Sequence, residues 1–348
     1  MNHIKIMQNF KQLSRDEVKA ALHFGCPARP PLANAHWLNV ETRKVLGPIA
    51  VKLQREFPDD VIMSGMGVSY WQAPSDDPKY RWAFGNKAKP EGLAIDSQAV
   101  IESWDELDQF LSELPDPNRP GITDGIKRTR ENHPTRYILV GWGHYLHQRL
   151  AYIRGLGNLL YDFCDHIDEL RVIMDALIDI YRIWAKRASE SGADGIWAGD
   201  DLGTQRSLFM SPDMFRKIYA PYYKKLANAL HDYDLDFWLH TCGNVTEIMD
   251  DLIKAGVDAV HPIQVGTMED EHISCKYGGE IAFWIGMDVQ QLLPFGTPEE
   301  VRKECQKRIK TFYRKEGGLI LAAGNAIMPE TPVENIRAYL ETLYYSYQ

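Results

Sequence analysis

The chain has 348 residues, 45% of them hydrophobic, which is enough to bury a full core in one domain. Its formal net charge of -9 argues against a nucleic-acid-binding surface. Residues 1–12 lack the apolar core of a signal peptide and no stretch reaches the eighteen or so apolar residues that cross a bilayer, so we expect a cytoplasmic protein. The five cysteines are scattered and odd in number, which favours reduced thiols over disulfides.

In chain order, the first structural signal is Ser14-Arg15-Asp16-Glu17, a capping box that opens a helix within an N-terminal extension, residues 1–30. Eight short apolar runs then predict strands: 31–37, 61–66, 137–142, 195–198, 236–240, 259–263, 281–286 and 319–323. Helix-period segments separate most of them: 41–57, 104–114, 167–191, 212–231, 245–255, 298–314 and 331–344. This alternation predicts an α/β fold, a (β/α)8 or TIM barrel, forming a single domain over residues 1–348.

A long insertion, residues 67–134, lies between the second and third predicted strands. Within it, residues 79–84 and 93–95 could pair as a hairpin, and the proline-rich segment 115–121 is typical of a connector. Farther along, Thr297 and Thr331 each precede a proline, so both are predicted to cap helices.

The sequence His240-Thr-Cys242-Gly243 closes the fifth predicted strand. A neutral imidazole and a thiolate one residue apart at a strand end can turn toward one ion, which makes them half of a zinc site. Buried cysteine can also act as a small hydrophobe, so the spacing alone leaves a structural role open.

Polar and aromatic residues collect at the predicted carboxyl ends of the strands, where TIM barrels carry their chemistry. In chain order they are Trp142, His144, Asp200, Asp201, Gln205, His240, Cys242, His261, Gln264, Asp288 and Asn325. Each type has a structural alternative, because an aspartate can cap a helix, a histidine can be hydrogen-bonded in a core and a tryptophan can pack there. Their joint occurrence at one end of the barrel favours a functional site.

The last two thirds of the chain contain a series of short motifs: Gly192-Ala-Asp-Gly-Ile196 with Asp200-Asp201, Ser211-Pro-Asp-Met-Phe215, His240-Thr-Cys-Gly243, Gly286-Met-Asp288 and Pro332-Val-Glu-Asn335. Together they resemble the uroporphyrinogen decarboxylase superfamily, and more closely its corrinoid-linked methyltransferase branch. In that branch a cysteine after the last strand supplies a third zinc ligand. Here the matching stretch is Gly324-Asn325-Ala326, so a carboxylate from Asp200 or Asp201 has to complete the site, or the metal has been lost.

The resemblance implies zinc-assisted methyl transfer between a corrinoid and either a small methylated donor, such as a methoxy compound, or a thiol. No cobalamin-binding Asp-x-His-x-x-Gly pattern occurs in this sequence, so a separate partner protein would carry the corrinoid. The expected metal ligands are His240 and Cys242. The expected catalytic residues are Asp200, Asp201, His144, His261 and Asp288, and the expected substrate-binding residues are Trp142, Gln205, Gln264 and Asn325.

Two other functions are compatible with the sequence. One is metal-free decarboxylation of a tetrapyrrole or related carboxylated ring, in which Asp60, Asp200 or Asp201 would stabilise positive charge. The decarboxylases carry an arginine-containing N-terminal segment that binds the acidic side chains of the tetrapyrrole, whereas residues 28–37 contain only Arg29. The other is a non-catalytic barrel that binds a corrinoid protein or a small ligand, because a fold does not fix an activity.

Overall fold

The computed structural model describes residues 11–34, 38, 40–68, 73–82 and 99–346. Seven parallel strands form one curled sheet, and their spatial order follows the chain order. They are β1 (Val61–Gly65), β2 (Tyr137–His144), β3 (Gly195–Gly199), β4 (Asp236–His240), β5 (Ala259–His261), β6 (Ala282–Ile285) and β7 (Leu319–Leu321). The predicted TIM-barrel fold and single domain are therefore confirmed.

The expectation of eight full strands is corrected at the first of them, residues 31–37. In the described part of this segment, Leu32 forms an isolated parallel bridge with Leu321 of β7. The Ala33 N–H donates to the Leu321 carbonyl at 2.9 Å, and the Asp60 N–H beside β1 donates to the Leu32 carbonyl at 2.8 Å. A short bridged segment thus joins β7 to β1. Pro31 has no N–H to give to a ladder, which helps explain why no regular strand forms here.

Three of the helices in the described ranges precede β1, and the others lie between or after the strands. In chain order the described ones are α1 (Arg15–Leu22), α2 (Val40–Leu46), α3 (Pro48–Glu56), α4 (Leu107–Ser112), α5 (Asp124–Asn132), α6 (His147–Arg154), α7 (Leu156–Asp165), α8 (Ile167–Glu190), α9 (Pro212–Met214), α10 (Ala220–His231), α11 (Met249–Ala255), α12 (Asp270–Tyr277), α13 (Leu292–Phe295), α14 (Pro298–Phe312) and α15 (Val333–Tyr345). A π-helical turn, Phe215–Tyr219, joins α9 to α10. Among the helices that can be described, none is long and apolar enough to span a bilayer.

Two of the three predicted helix caps are confirmed. Ser14 and Thr297 each form a complete capping box, with Glu17 and Glu300 respectively. The prediction at Thr331 is wrong, because α15 begins at Val333 and no side chain caps it. The insertion contributes α4 and α5, and its predicted hairpin lies mainly outside the described residues.

The amino end of the barrel is closed by packed side chains. Val18 and Leu22 of α1 join the apolar cluster inside the barrel, which also contains Trp238 and Trp284. The Tyr137 hydroxyl donates to the buried Asp236 carboxylate at 2.6 Å. A second, larger cluster fills the space between the strands and the surrounding helices. The carboxyl end of the barrel is therefore the end that can hold a ligand.

Candidate metal and substrate site

Strand register places four residues in one layer at the carboxyl end of the barrel. His144 lies opposite Gly199, Gly199 opposite His240, and His240 opposite His261. This is why three imidazoles that are far apart in the sequence surround one space. The space is a cavity of about 240 Å³ on the barrel axis, which we call the axial cavity; its lining also includes Asp201, Gln148, Trp197 and Trp284.

Three potential metal ligands converge at the edge of this cavity. The ligand atoms of Asp201, His240 and Cys242 all lie within 4.8 Å of one another. Cys242 Sγ is 3.4 Å from His240 Nε2, and Asp201 Oδ1 is 3.7 Å from the same nitrogen. Usual zinc bond lengths in a tetrahedron give about 3.6 Å for the sulfur–nitrogen edge and about 3.3 Å for the nitrogen–oxygen edge. Both the donor types and the spacing therefore fit zinc.

The loops after β3 and β4 hold this arrangement together. The Cys242 N–H donates to Asp201 Oδ1 at 2.9 Å. Thr241 is fully buried between the two candidate ligands, and its Oγ1 accepts the Leu202 N–H at 3.1 Å. Because Thr241 points into the protein, His240 and Cys242 on either side of it both turn toward the open carboxyl end of the barrel.

His261 supports His240 instead of facing the candidate metal position. The Nδ1 atoms of the two rings are 2.7 Å apart, and the Trp284 ring packs on His261 at a centroid distance of 4.2 Å. One Nδ1 must donate and the other accept. If His240 binds a metal through Nε2, its Nδ1 carries the hydrogen, and His261 fixes the orientation of the ring.

The two adjacent aspartates have different environments. Asp200 is fully buried, and its carboxylate accepts hydrogen bonds from the Tyr223 hydroxyl at 2.6 Å and from the Gln148 N–H at 2.8 Å. Burial raises the pKa of Asp200 to about 6. Asp200 therefore supports the first turn of α6, and Asp201 is the carboxylate that faces the candidate metal position.

Gln148 is a site residue that the sequence analysis missed. Its side-chain amide joins His144 Nδ1, at 2.7 Å, to Asp201 Oδ2, at 2.9 Å. Burial lowers the pKa of His144, which favours a neutral ring. The available signal was its position four residues after His144, on the first turn of the helix that follows β2.

A second cavity of about 390 Å³, the rim cavity, lies beside the axial cavity. Its lining includes Gln205, Cys242, Gln264, Asp288 and Asn325. Gln264 Oε1 accepts the Gly243 N–H, and Asp288 Oδ1 accepts the N–H groups of the two residues Gln290 and Gln291. Gly324 and Asn325 line both cavities.

Asn325 lies beside the candidate metal position, where the family resemblance implies a third cysteine. Its Nδ2 is 3.6 Å from Cys242 Sγ. Burial is the main reason that the pKa of the Cys242 thiol rises to about 12, and the nearby Asp201 raises it further. A bound divalent cation would reverse this balance, because a coordinating thiol is deprotonated. Burial also lowers the pKa of His240, which favours the neutral imidazole that metals bind.

Trp142 lies away from both cavities, although we expected it to bind substrate. It is 1% exposed and packs against Tyr181 and Trp184 of α8, at centroid distances of 5.4 and 6.0 Å. A β-bulge between Gly141 and Gly143 makes Trp142 an extra residue in the ladder to β3. The bulge turns Trp142 toward the helices and His144 toward the barrel axis.

Comparison with known proteins finds one matching family and several relatives. The family model described as uroporphyrinogen decarboxylase (URO-D) matches residues 86–344. The methylcobamide:CoM methyltransferase MtbA of Methanosarcina acetivorans is 28% identical over 250 residues, which cover 70% of this chain and 68% of the relative. The uroporphyrinogen decarboxylase of Chlorobium phaeobacteroides is 21% identical, with 72% of each chain covered.

A solved structure shares the fold. A methyltransferase from Methanosarcina mazei superposes with a TM-score of 0.67 over 96% of this chain and 99% of that one, at 19% identity. This likeness extends to parts of the chain that the family model does not match.

Proposed function

This chain belongs to the uroporphyrinogen decarboxylase family, and we propose that within it the protein is a zinc-assisted methyltransferase. The transfer runs between a small methylated compound or a thiol and a corrinoid carried by a partner protein. The observation that carries the proposal is the convergence of Asp201, His240 and Cys242 at the mouth of the barrel. The relative named methylcobamide:CoM methyltransferase supports this choice within the family.

When bound, zinc supplies Lewis acidity, which polarises the ether oxygen of a methoxy donor or lowers the pKa of a thiol. Three protein ligands leave a fourth position open, as catalytic zinc sites do. His261 holds the ring of His240, and Gln148 together with the Cys242 N–H holds Asp201. His240 and Asp201 line the axial cavity, so a small substrate bound there would lie beside a zinc ion held by these residues.

The electron pairs are accounted for in both directions of transfer, so no oxidant is needed. In the demethylation direction the methyl–oxygen bond breaks, its electron pair stays on oxygen, and Co(I) of the corrinoid supplies the pair for the new bond. In the direction of a thiol acceptor, the methyl–cobalt bond breaks with its pair left on cobalt, and the thiolate supplies the pair. The rim cavity, with Gln205, Gln264, Asp288 and Asn325, is the surface that we assign to the approaching corrinoid.

One structural observation removes Asp60 from the residues that could serve the decarboxylation of a tetrapyrrole. Arg29 forms two hydrogen bonds with the buried Asp60 carboxylate, at 2.6 and 2.8 Å. Asp60 directly precedes β1, so this pair lies at the amino end of the barrel, opposite the two cavities. Neither residue can therefore act on a ligand in the axial cavity.

The test combines metal content with two half-reactions. Zinc would be measured in the purified chain after dialysis against a mild chelator. Methyl transfer would be followed from methylcobalamin to coenzyme M, and from a methoxyphenol to Co(I) cobalamin. We expect one zinc per chain and transfer in at least one half-reaction.

Cys242→Ala should lose the metal and at least about 100-fold in rate. Cys275→Ala is the matched control, because Cys275 is an exposed cysteine on α12. A zinc-free wild type, or full transfer by Cys242→Ala, would argue against the proposal. Release of carbon dioxide from uroporphyrinogen would favour the decarboxylase function instead.

A further inference from the structure

We propose that Asn244 is a positioning residue for the candidate metal ligand Cys242. Asn244 ties the loop after β4 to the loops after β3 and β5, so that the Cys242 thiol is held in place before a metal binds. The role of Cys242 as a metal ligand rests on the proposed function, whereas the contacts of Asn244 do not. These contacts can therefore be tested without metal and without turnover.

Asn244 lies two residues after Cys242 and makes hydrogen bonds to three stretches of backbone. Its N–H donates to the Thr204 carbonyl, in the loop after β3, at 2.8 Å. Its Nδ2 donates to the Thr267 carbonyl, in the loop after β5, at 2.9 Å, and its Oδ1 accepts the Thr246 N–H at 3.1 Å. A backbone N–H only donates and a carbonyl only accepts, so these two contacts fix the orientation of the amide. The loop after β4 is thus held on both of its sides.

The loops after β3 and β4 also touch backbone to backbone. A Cβ on Gly243 would overlap the carbonyl group of Gly203, and a Cβ on Gly203 would lie 2.7 Å from the Asn244 nitrogen. Gly243 has a φ of 86°, which disfavours other residues at this position. The absence of both side chains lets the two loops approach closely enough for the hydrogen bond between Asn244 and Thr204.

The loop after β5 contacts the loop after β4 a second time, through Gln264. Its Oε1 accepts the N–H of Gly243, the residue directly after Cys242, at 2.9 Å. Thr267, which accepts the Asn244 amide, is itself bonded to Gln264, because its N–H and its Oγ1 both donate to the Gln264 carbonyl, at 3.2 and 2.9 Å. Both bonds between these loops therefore start from one short turn. We call the bonds of Asn244 and Gln264 to the neighbouring loops the inter-loop clasp.

The thiol of Cys242 depends on the backbone on either side of it for its position. Before it, Thr241 is buried and accepts the Leu202 N–H. After it, the inter-loop clasp holds the next two residues. Without the clasp this part of the loop would gain backbone freedom, which metal binding would then have to remove. We therefore expect the clasp to strengthen metal binding and to keep the thiol half-buried.

The first experiment uses the metal-free full chain and the reactivity of its cysteines. Cys26, Cys164 and Cys275 are exposed, Cys242 is half-buried and Cys305 is buried. Timed reaction with iodoacetamide at one pH, followed by peptide mass spectrometry, gives a separate rate for each thiol. In Asn244→Ala we expect Cys242 to react roughly tenfold faster than in wild type, because two hydrogen bonds that hold its loop are lost. The other four rates should not change, and a parallel rise at Cys305 would mean that the whole barrel loosens and would overturn the local role.

Asn244→Asp separates the two side-chain contacts and serves also if Asn244→Ala does not fold. It keeps an oxygen for the Thr246 N–H but places a second carboxylate oxygen against the Thr267 carbonyl, where two acceptors repel each other. Cys242 should therefore react at least as fast as in Asn244→Ala. A wild-type rate in Asn244→Asp would show that the bond to the loop after β5 does not hold the thiol.

Asn335→Ala is the matched control. Asn335 is a buried asparagine whose Nδ2 donates to the carbonyls of Leu293 and Gly296, at 2.9 and 2.7 Å, in the segment after β6. The substitution removes the same kind of amide at the same end of the barrel but leaves the loop after β4 untouched. The reaction rate of Cys242 should then stay within about twofold of wild type.

Metal binding supplies the second measurement. The zinc Kd of Asn244→Ala, from competition with a chromophoric chelator, should rise roughly tenfold. Co(II) bound in place of zinc should show a weaker thiolate-to-cobalt charge-transfer band per bound ion, because Cys242 coordinates it for less of the time. Asn335→Ala should show neither change. A lower unfolding temperature in Asn244→Ala, with the zinc Kd and the cobalt band of wild type, would mean that Asn244 is merely structural.

Failure of the inter-loop clasp can be told apart from failure of the proposed function. Faster reaction of Cys242 in both Asn244 variants, in a chain that binds no zinc, would uphold the positioning of the thiol and reject the proposed function. Wild-type reaction rates and a wild-type zinc Kd in both variants, in a chain that transfers methyl groups, would overturn the clasp and leave the proposed function intact.

Discussion

Replacement of Asn325 by cysteine is the strongest single test of the site geometry. Asn325 Nδ2 lies 3.6 Å from Cys242 Sγ, and two thiolates on one tetrahedral zinc are about 3.8 Å apart. A cysteine sulfur is one bond closer to the backbone than this nitrogen, so with a fixed backbone it would stand roughly 1.3 Å farther away. The loop after β7 must move by about 1 Å to close the distance.

This geometry sets the size of the effect. A thiolate adds a negative charge and a softer donor than an amide, which zinc prefers. Moving the loop costs part of this gain in binding free energy. We therefore expect the zinc Kd of Asn325→Cys to fall by roughly tenfold, or about 1.4 kcal/mol. With Asp201, His240 and Cys242 already present, a fourth protein ligand would also fill the open position and slow methyl transfer.

The assay is competition for zinc with a chromophoric chelator. Asn325→Ser is the matched control, because serine has the size of cysteine without its sulfur, and its zinc Kd should stay within about threefold of wild type. Unchanged or weaker zinc binding by Asn325→Cys would mean that the loop after β7 does not face the metal. An equal gain in the serine variant would show that the effect comes from removing the amide.

Three further outcomes are expected. Cys242→Ala should lose zinc. Its unfolding temperature, measured by circular dichroism, should stay within a few degrees of wild type, because a side chain at the barrel mouth adds little to core packing. Zinc retained at the wild-type level would show that the thiol is not a ligand. Asp201→Asn should weaken zinc binding at least about 100-fold, whereas Asp200→Asn should retain the metal. If both variants keep the same amount of zinc after dialysis, neither carboxylate is a ligand. Burial lowers the pKa of His147 to about 4, so its contribution to stability is present above pH 6.5 and is lost as the pH falls through 6.5 toward 4. Urea unfolding should therefore show wild type losing about 2 kcal/mol more than His147→Phe between pH 7 and pH 5, and parallel losses would contradict this assignment.

The barrel could be predicted from the sequence because seven of its strands are separate apolar runs between helix-period segments. The gathering of the polar residues at one end of the barrel then followed, since parallel strands in chain order bring their carboxyl ends together. Residues 31–33 were harder to assign. Their role depends on hydrogen bonds to β7 and β1, which are distant in sequence, and Pro31 carries no ladder donor of its own.

The site was predicted less completely than the fold. Strict alternation along β2 places Trp142 and His144 on the same face, and the bulge that separates them has no marker beyond Gly141 and Gly143. Asp200 and Asp201 are chemically identical in the sequence, and only the burial of Asp200 against Tyr223 distinguishes them. Gln148 was missed because its role depends on the two side chains that its amide contacts, His144 and Asp201, and the sequence does not show that these three residues meet.

The closed amino end of the barrel has a consequence for the order of events during turnover. Val18, Leu22 and Trp238 fill the interior below the axial cavity, so a ligand there has to enter and leave through the carboxyl end. A corrinoid protein bound over that end would block this entrance. If the proposed partner docks there, the small molecule would have to bind before docking, and its product could leave only after the partner dissociates.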